Sequence, residues 1–268
     1  MPSINFSVLI SVFEKENPIY FDKCLESVFN QSYMPSQVVV VKDGPLTSDL
    51  DFILDKWIKI SGIIDVVPLD NNLGLAKALN IGINFCNYDY IARMDSDDIC
   101  YSNRFEVQLD FLENNPEFAC CGSFVSEFSV DTNYTSLKRL PHMHEQIVIR
   151  AKFNNPMAHP TVIFKKDAVL NVGGYPLMYP EDYLLWIKLL RSNYKLFNIP
   201  EPLLFFRISN NIASRRGWKM FKGEFKIARF MLNTSFINFF QFTYFVFVKL
   251  ILRLSPVYFK KLMYKYFR

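Results

Sequence analysis

A chain of 268 residues, half of them apolar and 21% charged, is long enough to bury a substantial core, which excludes a disordered protein. Its five cysteines (Cys24, Cys86, Cys100, Cys120 and Cys121) contain no CxxC pair and no zinc spacing, which excludes a disulfide scaffold and suits core thiols in a reducing cytosol. The net charge of +4 is unevenly spread: residues 215–268 carry +11 and the remainder −7, so the C-terminal module suits an anionic surface.

In chain order, the first half alternates short apolar runs with helical periodicity. Phe6 to Val12 reads as a strand, Ile19 to Gln31 as an amphipathic helix, Gln37 to Val41 as a strand and Asp49 to Ile60 as a helix. Ile63 to Pro68 is a third strand, Leu75 to Phe85 a helix and Tyr88 to Met94 a fourth strand. This rhythm predicts an α/β fold, a mainly parallel sheet flanked by helices on both faces. Met1 to Asn5 run straight into the first strand, with no basic start, long apolar stretch or cleavage site, so a cytoplasmic location is expected.

Sheets of this kind bind ligands beyond the carboxyl ends of their strands. Those ends are Phe13-Glu14, Lys42-Asp43-Gly44-Pro45, Asp70-Asn71-Asn72 and Asp95-Ser96-Asp97-Asp98, which should converge on one crevice. Neither GxGxxG nor GxxxxGK[ST] occurs, so the usual dinucleotide fingerprint and the P-loop are absent. Three carboxylates within four residues repel unless a cation or hydrogen-bond donors hold them, and oxygen-rich sets of this type suit Mg2+ or Mn2+. The simpler alternative is a turn that caps a helix starting near Ser102. Asp43-Gly44-Pro45 is a turn sequence on its own terms, yet a carboxylate at a strand end can also accept the imide N–H of uracil. Asn71 to Asn80 opens a helix with small residues and a positive end, which suits a pyrophosphate or a close-packed capped helix.

The second half changes character. Phe118 to Phe128 is strand-like, Asp131 to His142 an irregular polar loop, His144 to Phe153 a short helix, and His159-Pro160-Thr161 enters the strand Val162 to Phe164. His159 could bond an acceptor hydroxyl, although a histidine before proline is commonly a structural turn residue. Gly173-Gly174-Tyr175 is a loop that lets backbone approach the site closely. Pro180-Glu181-Asp182 precedes an apolar-periodic helix, Tyr183 to Leu190, where the dipole alone would favour acids; an acid facing a nucleotide crevice is also a natural general base. From Phe236 to Leu254 a phenylalanine-rich run is broken by Asn238, Gln241, Lys249 and Arg253, which makes a poor membrane span. An aromatic helix with basic residues on another side is expected to lie on an anionic inner leaflet; docking on the protein's own core is the alternative. Nucleic acid is not expected, because no recognised binding motif accompanies the charge.

The ordered motifs Ser7 to Phe13, Asp43-Gly44, Asn72-x-Gly74 to Asn80, Asp95-Ser96-Asp97-Asp98 and Glu181-Asp182 with Leu185-Trp186 resemble family 2 of the glycosyltransferases. The resemblance covers nearly residues 5 to 210 and implies the GT-A fold, a Rossmann-like mainly parallel sheet flanked by helices; the basic, aromatic helical tail read above lies behind it. Together with the charge distribution, the resemblance divides the chain into a catalytic domain, 1–214, with a nucleotide-sugar-binding half, 1–115, and an acceptor half, 116–214, and a basic amphipathic, membrane-associating helical tail, 215–268. It implies that Ser11, Phe13, Glu14, Asp43, Asn72, Gly74, Lys77, Asp95 and Ser96 surround the nucleotide sugar. Asp43 would meet uracil, Asp95 the ribose or the metal, and Asp97 the metal, while Asp182 would act as base with Glu181 orienting it or the acceptor. His159 and Trp186 are acceptor candidates. The family often has two aspartates before the glycine, an asparagine after the first-strand aromatic and an arginine before the asparagine of the third motif, where this chain has Lys42, Glu14 and Leu79. Pyrophosphate contacts are therefore expected to shift to Lys77 or to Arg215 and Arg216.

The activity implied is inverting, metal-dependent transfer of galactose or glucose from a UDP-sugar to a polyprenyl-diphosphate-linked GlcNAc or GalNAc, in bacterial O-antigen or capsule assembly. The enzyme would sit peripherally on the cytoplasmic face of the inner membrane. A nucleotide-sugar-forming nucleotidyltransferase and a non-catalytic membrane scaffold are the alternatives; the first would carry a glycine-rich basic loop where Glu14-Lys15-Glu16-Asn17-Pro18 stands.

Overall fold

A computed structural model describes residues 2–129, 134–208 and 217–255. Its first half builds β1 (Phe6–Val12), α1 (Pro18–Val28), β2 (Gln37–Lys42), α2 (Ser48–Ser61), β3 (Ile64–Pro68), α3 (Leu75–Phe85) and β4 (Tyr90–Asp95). The chain continues through β5 (Ile99–Cys100), α4 (Arg104–Asn114), β6 (Phe118–Ser129), β7 (Tyr134–Lys138), α5 (His144–Ala151), β8 (Ile163–Lys165) and α6 (Lys166–Asn171). It ends with α7 (Glu181–Arg191), β9 (Lys195–Arg207), α8 (Trp218–Asn233) and α9 (Phe239–Leu254). Among the described residues one sheet runs β3-β2-β1-β4-β8-β6-β9-β5, with β7 paired to β6.

The near-continuous apolar strands reflect burial on both faces. Along β1, Phe6, Val8, Ile10 and Val12 point to one core with Leu25 of α1 and Leu50 of α2, while Leu9 points to the other with Leu79 of α3 and Trp186 of α7. Each alternate residue of β2 makes the same division, so Val38 to Val41 are all fully buried. Helix α3 lies close on the sheet because Gly82 carries no Cβ; one there would stand 2.5 Å from the Leu9 side chain and 2.7 Å from that of Val41. All five cysteines are free and buried, as expected of core thiols.

The parallel pairing of β1 with β2 and β4 matches the expected first half, but beyond β4 the sheet turns mixed: β8 runs antiparallel to both β4 and β6. Short elements with no counterpart in the sequence analysis are β5, α6 and β7, the last standing at Tyr134–Lys138 where an irregular loop is expected over Asp131 to His142; two longer ones also lack a counterpart. Strand β9 is one; it pairs in parallel with β6 through several register shifts, and Pro200 and Pro202 break its apolar pattern. Helix α8 is the other, hidden by its lysines.

The tail docks on the core with most of its aromatic face outward and two of its cations inward. Phe245, Lys249 and Arg253 are the buried residues of α9, while Phe239, Phe240, Tyr244 and Phe247 are 60–82% exposed. The two cations turn inward because Glu224, buried on α8, meets both: Arg253 donates to its two oxygens at 2.8 and 2.7 Å, and Lys249 Nζ is 3.3 Å from Oε1. An ion cluster of this kind offsets the cost of burying its charges only when complete.

Candidate active site

The acid cluster stands where β4 leaves the sheet. Asp95, its last residue, is in register with Ser11 of β1, and the chain then turns through Ser96, Asp97 and Asp98 into β5. Carboxylate oxygens of Asp95, Asp97 and Asp98 lie within 4.8 Å of one another. Burial, reinforced by the charges of Asp95 and Glu16, pushes Asp97 up to about 7. Burial also raises Asp98 well above the usual carboxylate range, with Asp95 and Asp97 adding to it. Oδ1 of Asp98 accepts the Arg207 backbone N–H at 2.8 Å, and its Oδ2 is buried with no partner. Crowded carboxylates with an unpartnered buried oxygen, and no thiolate or imidazole among them, fit a hard divalent cation.

Three side chains that sequence reasoning did not single out complete this wall. Ser96 Oγ donates to Glu16 at 2.6 Å, which brings a fourth acid to the cluster. Arg207 Nε donates to the Asp97 carbonyl at 2.8 Å, and its guanidinium lies 3.7 Å from the ring centre of Tyr20 and 4.6 Å from that of Phe128. Arg93 is 1% exposed and ion-paired with Asp95; its Nε and Nη1 have no hydrogen-bond partner. An arginine two residues before an aspartate was readable as a same-face neighbour, because strand side chains repeat every second residue.

Helix α7 begins with Glu181 and Asp182, where the positive end of the helix favours acids. Asp182 accepts from Asn155 Nδ2 at 2.6 Å and from the Tyr183 N–H at 2.8 Å. Burial raises Asp182 above its ordinary range against the pull of those two hydrogen bonds, and burial with the neighbouring Asp182 charge brings Glu181 up to about 7. The two groups of acids lie within reach of shared charges: Arg93 favours ionisation of both Glu181 and Asp182, and the Asp95 charge opposes that of Glu181. A carboxyl held near neutrality, as that of Glu181 is, suits proton transfer.

The remaining expected residues fall into three groups. Phe13, Glu14, Asn72 and Lys77 are exposed at the carboxyl ends of β1 and β3 and the start of α3, and Ser11 is half-buried beside Asp95. Asp43 is only 4% exposed and accepts the N–H groups of Leu73 and Gly74 at 2.7 and 3.1 Å, so it fixes the loop that opens α3. Gly44, at φ 91°, lets that loop pass, since a Cβ would stand 2.8 Å from the Asn72 nitrogen. His159 and Trp186 are buried rather than open to an acceptor: His159 Nε2 bonds the Tyr175 hydroxyl at 3.0 Å, its ring is 6.1 Å from that of Trp186, and burial lowers its pKa well below the usual range, which makes it neutral. Asn80 holds the Gly173-Gly174-Tyr175 loop by accepting the Tyr175 N–H at 2.7 Å and donating to its carbonyl at 2.8 Å. Arg215 and Arg216 lie outside the described residues.

Residues 7–172 match the family described as glycosyl transferase family 2. The chain is 37% identical over 254 residues to the amylovoran biosynthesis glycosyltransferase AmsE of Erwinia amylovora, covering 94% of this chain and 95% of that one. It is 34% identical to the UDP-Gal:alpha-D-GlcNAc-diphosphoundecaprenol beta-1,3-galactosyltransferase of Escherichia coli, covering 97% and 95%. Among solved structures, the Pyrobaculum calidifontis mannosyltransferase PcManGT, in complex with GDP-Man and Mn2+, superposes with a TM-score of 0.68 at 14% identity, over 94% of this chain and 71% of that one. TarS 1-349 of S. aureus in complex with UDP-GlcNAc gives 0.68 at 17% identity, over 93% and 72%. The folds agree, and the nucleotidyltransferase and scaffold alternatives give way: this chain is a glycosyltransferase and belongs to family 2.

Proposed function

We propose that the chain transfers galactose or glucose from a UDP-sugar to a GlcNAc or GalNAc carried on a polyprenyl diphosphate, inverting the anomeric centre, in bacterial surface-polysaccharide synthesis. The observation that carries this reading is that buried Arg93 pairs with Asp95 of the crowded Asp95, Asp97 and Asp98, while its charge also acts on Glu181 and Asp182. The E. coli relative, whose name specifies UDP-Gal and a lipid-linked GlcNAc, supports the choice of substrates.

Asp182 takes the proton of the acceptor hydroxyl as that oxygen attacks, and its raised pKa lets it hold the proton afterwards. Asn155 and the Tyr183 N–H fix the carboxylate in place, and Glu181 orients the hydroxyl beside it. Asp95, Asp97 and Asp98 would hold Mg2+ or Mn2+, which would supply Lewis-acid neutralisation of the charge on the departing diphosphate. Ser11, Phe13, Glu14 and Ser96 line the nucleotide end, with Asp43 bracing the Asn72–Gly74 loop and Lys77 near the phosphates. A base facing the leaving group across the sugar gives single displacement with inversion, so a UDP-α-sugar yields a β-linkage.

The tail supports attachment to the cytoplasmic face of the inner membrane. No helix among the described residues is long and apolar enough to cross a bilayer. The exposed aromatic face of α9 and the exposed Lys219, Lys222, Lys226 and Arg229 of α8 suit acyl chains and anionic headgroups respectively. Calorimetry of UDP with and without Mn2+, and UDP release from a UDP-sugar panel with a GlcNAc-diphosphate-lipid analogue, test the reading. Metal-independent UDP binding, or no turnover of any UDP-sugar, would overturn it.

A further inference from the structure

The helix pair at the C-terminus reaches the proposed base by two routes. Through the first, Lys249 Nζ on α9 donates to Asn154 Oδ1 at 2.7 Å, and the next residue, Asn155, donates to Asp182 at 2.6 Å. The ring of Phe153 adds a third consecutive contact, packing edge-on against Tyr244 of α9 with centroids 5.8 Å apart. Through the second, Gly223 of α8 lies directly under Tyr179 and Pro180, which lead into Glu181 and Asp182. Glu224, the neighbour of Gly223, anchors Lys249.

A lysine only 4% exposed, 96% of its surface removed from water, is costly to keep for anchoring alone, because Arg253 already supplies Glu224 with two hydrogen bonds. Among the described residues, its one side-chain hydrogen bond outside that ion cluster goes to the segment that fixes Asp182.

We infer that Lys249 is a positioning residue for catalysis: held by Glu224, it fixes Asn154, so that Asn155 presents its amide to Asp182. The inference rests on the assignment of Asp182 as the base. The segment 153–155 connects the tail to the reacting centre, and the α8–α9 pair is part of the catalytic unit. A side chain that acts through a single hydrogen-bonded segment changes turnover more than substrate binding. Loss of the Asn155 amide also removes a bond that favours ionised Asp182, so the acidic limb of the kcat profile moves to higher pH.

The test uses the full-length enzyme with a UDP-sugar that the wild type turns over. Lys249→Met keeps Glu224 paired with Arg253, and Asn154→Ala leaves the ion cluster whole, so the second variant carries the test if the first fails to fold. Each is expected to lower kcat about tenfold or more with the donor KM within about twofold, and to shift the acidic limb upward, as Asn155→Ala does. Lys249→Met combined with Asn155→Ala should be no slower than Asn155→Ala alone, since both act through one contact. An acidic limb that moves in Asn155→Ala but stays in place in Asn154→Ala overturns the inference and leaves the base assignment standing; full turnover in Asp182→Ala overturns the base assignment itself.

Discussion

Gly223 on α8 and Tyr179, three residues before Asp182, are so close that a Cβ on the glycine would stand 1.7 Å from the tyrosine carbonyl oxygen. Backbone cannot move aside as a flexible side-chain tip can, so Gly223→Ala must displace either α8 or the approach to α7. A loss of about 1–3 kcal/mol is expected, as for an overpacked core. Thermal melts would register it, and kcat should fall with it. An alanine variant as stable and active as the parent would mean that the helix pair and the 179–182 segment do not bear on each other.

Asp182→Asn keeps the shape of the side chain and removes its basicity. Turnover should fall about 10²- to 10⁴-fold, with donor KM nearly unchanged, because the carboxylate is needed only as the acceptor hydroxyl loses its proton. Steady-state UDP release at saturating acceptor measures this.

Asp97 links the site to pH. Its folded value of about 7 exceeds the ordinary 3.8, so between those values the folded state holds a proton that the unfolded state releases. Metal-free stability from this group is therefore full below about pH 4 and declines as pH rises toward 7. A divalent cation needs the ionised carboxylate and should reverse the trend. Mn2+ is expected to raise Tm by at least about 2 °C more at pH 7.5 than at about pH 5.5. Scanning calorimetry across both conditions, repeated on Asp97→Asn, checks it; an equal shift in that variant would place the ion elsewhere.

The outward face of α9 predicts how a vesicle would hold the protein. Phe240→Ser and Phe247→Ser each remove an exposed ring that burial among acyl chains would stabilise by about 1.5–3 kcal/mol. Co-sedimentation with anionic vesicles should fall about tenfold or more for each. Raising ionic strength should weaken binding only in part, since it screens the lysines of α8 and leaves the rings untouched.

The parallel half of the fold was legible because local pattern decides it: strands covered on both faces read as unbroken apolar runs, and α1 to α3 carry clear periodicity. Strand β9 escaped because its pairing with β6 is bulged and its prolines argue against a strand interior. The same division holds in the site. Asp95, Asp97 and Asp98 are dense enough to be seen in one line of sequence, whereas Glu16 meets Ser96 across 80 positions, Asn155 meets Asp182 across 27, and Arg207 reaches Asp97 across 110. The burial of the cations of α9 is illegible for a related reason. Charge on a helix normally marks its wet side, and here the distant Glu224 meets both Lys249 and Arg253 on the inner side, with Asn154 also meeting Lys249.

That inward turn means the anchor is not a portable part. Cut away from its host, α9 would bring two cations to the lipid with no acid to meet them; cut from the enzyme, it would leave Glu224 in the dark with no counter-ion. Truncation therefore tests folding as much as attachment, and a foreign protein given this helix would not inherit its grip on a bilayer.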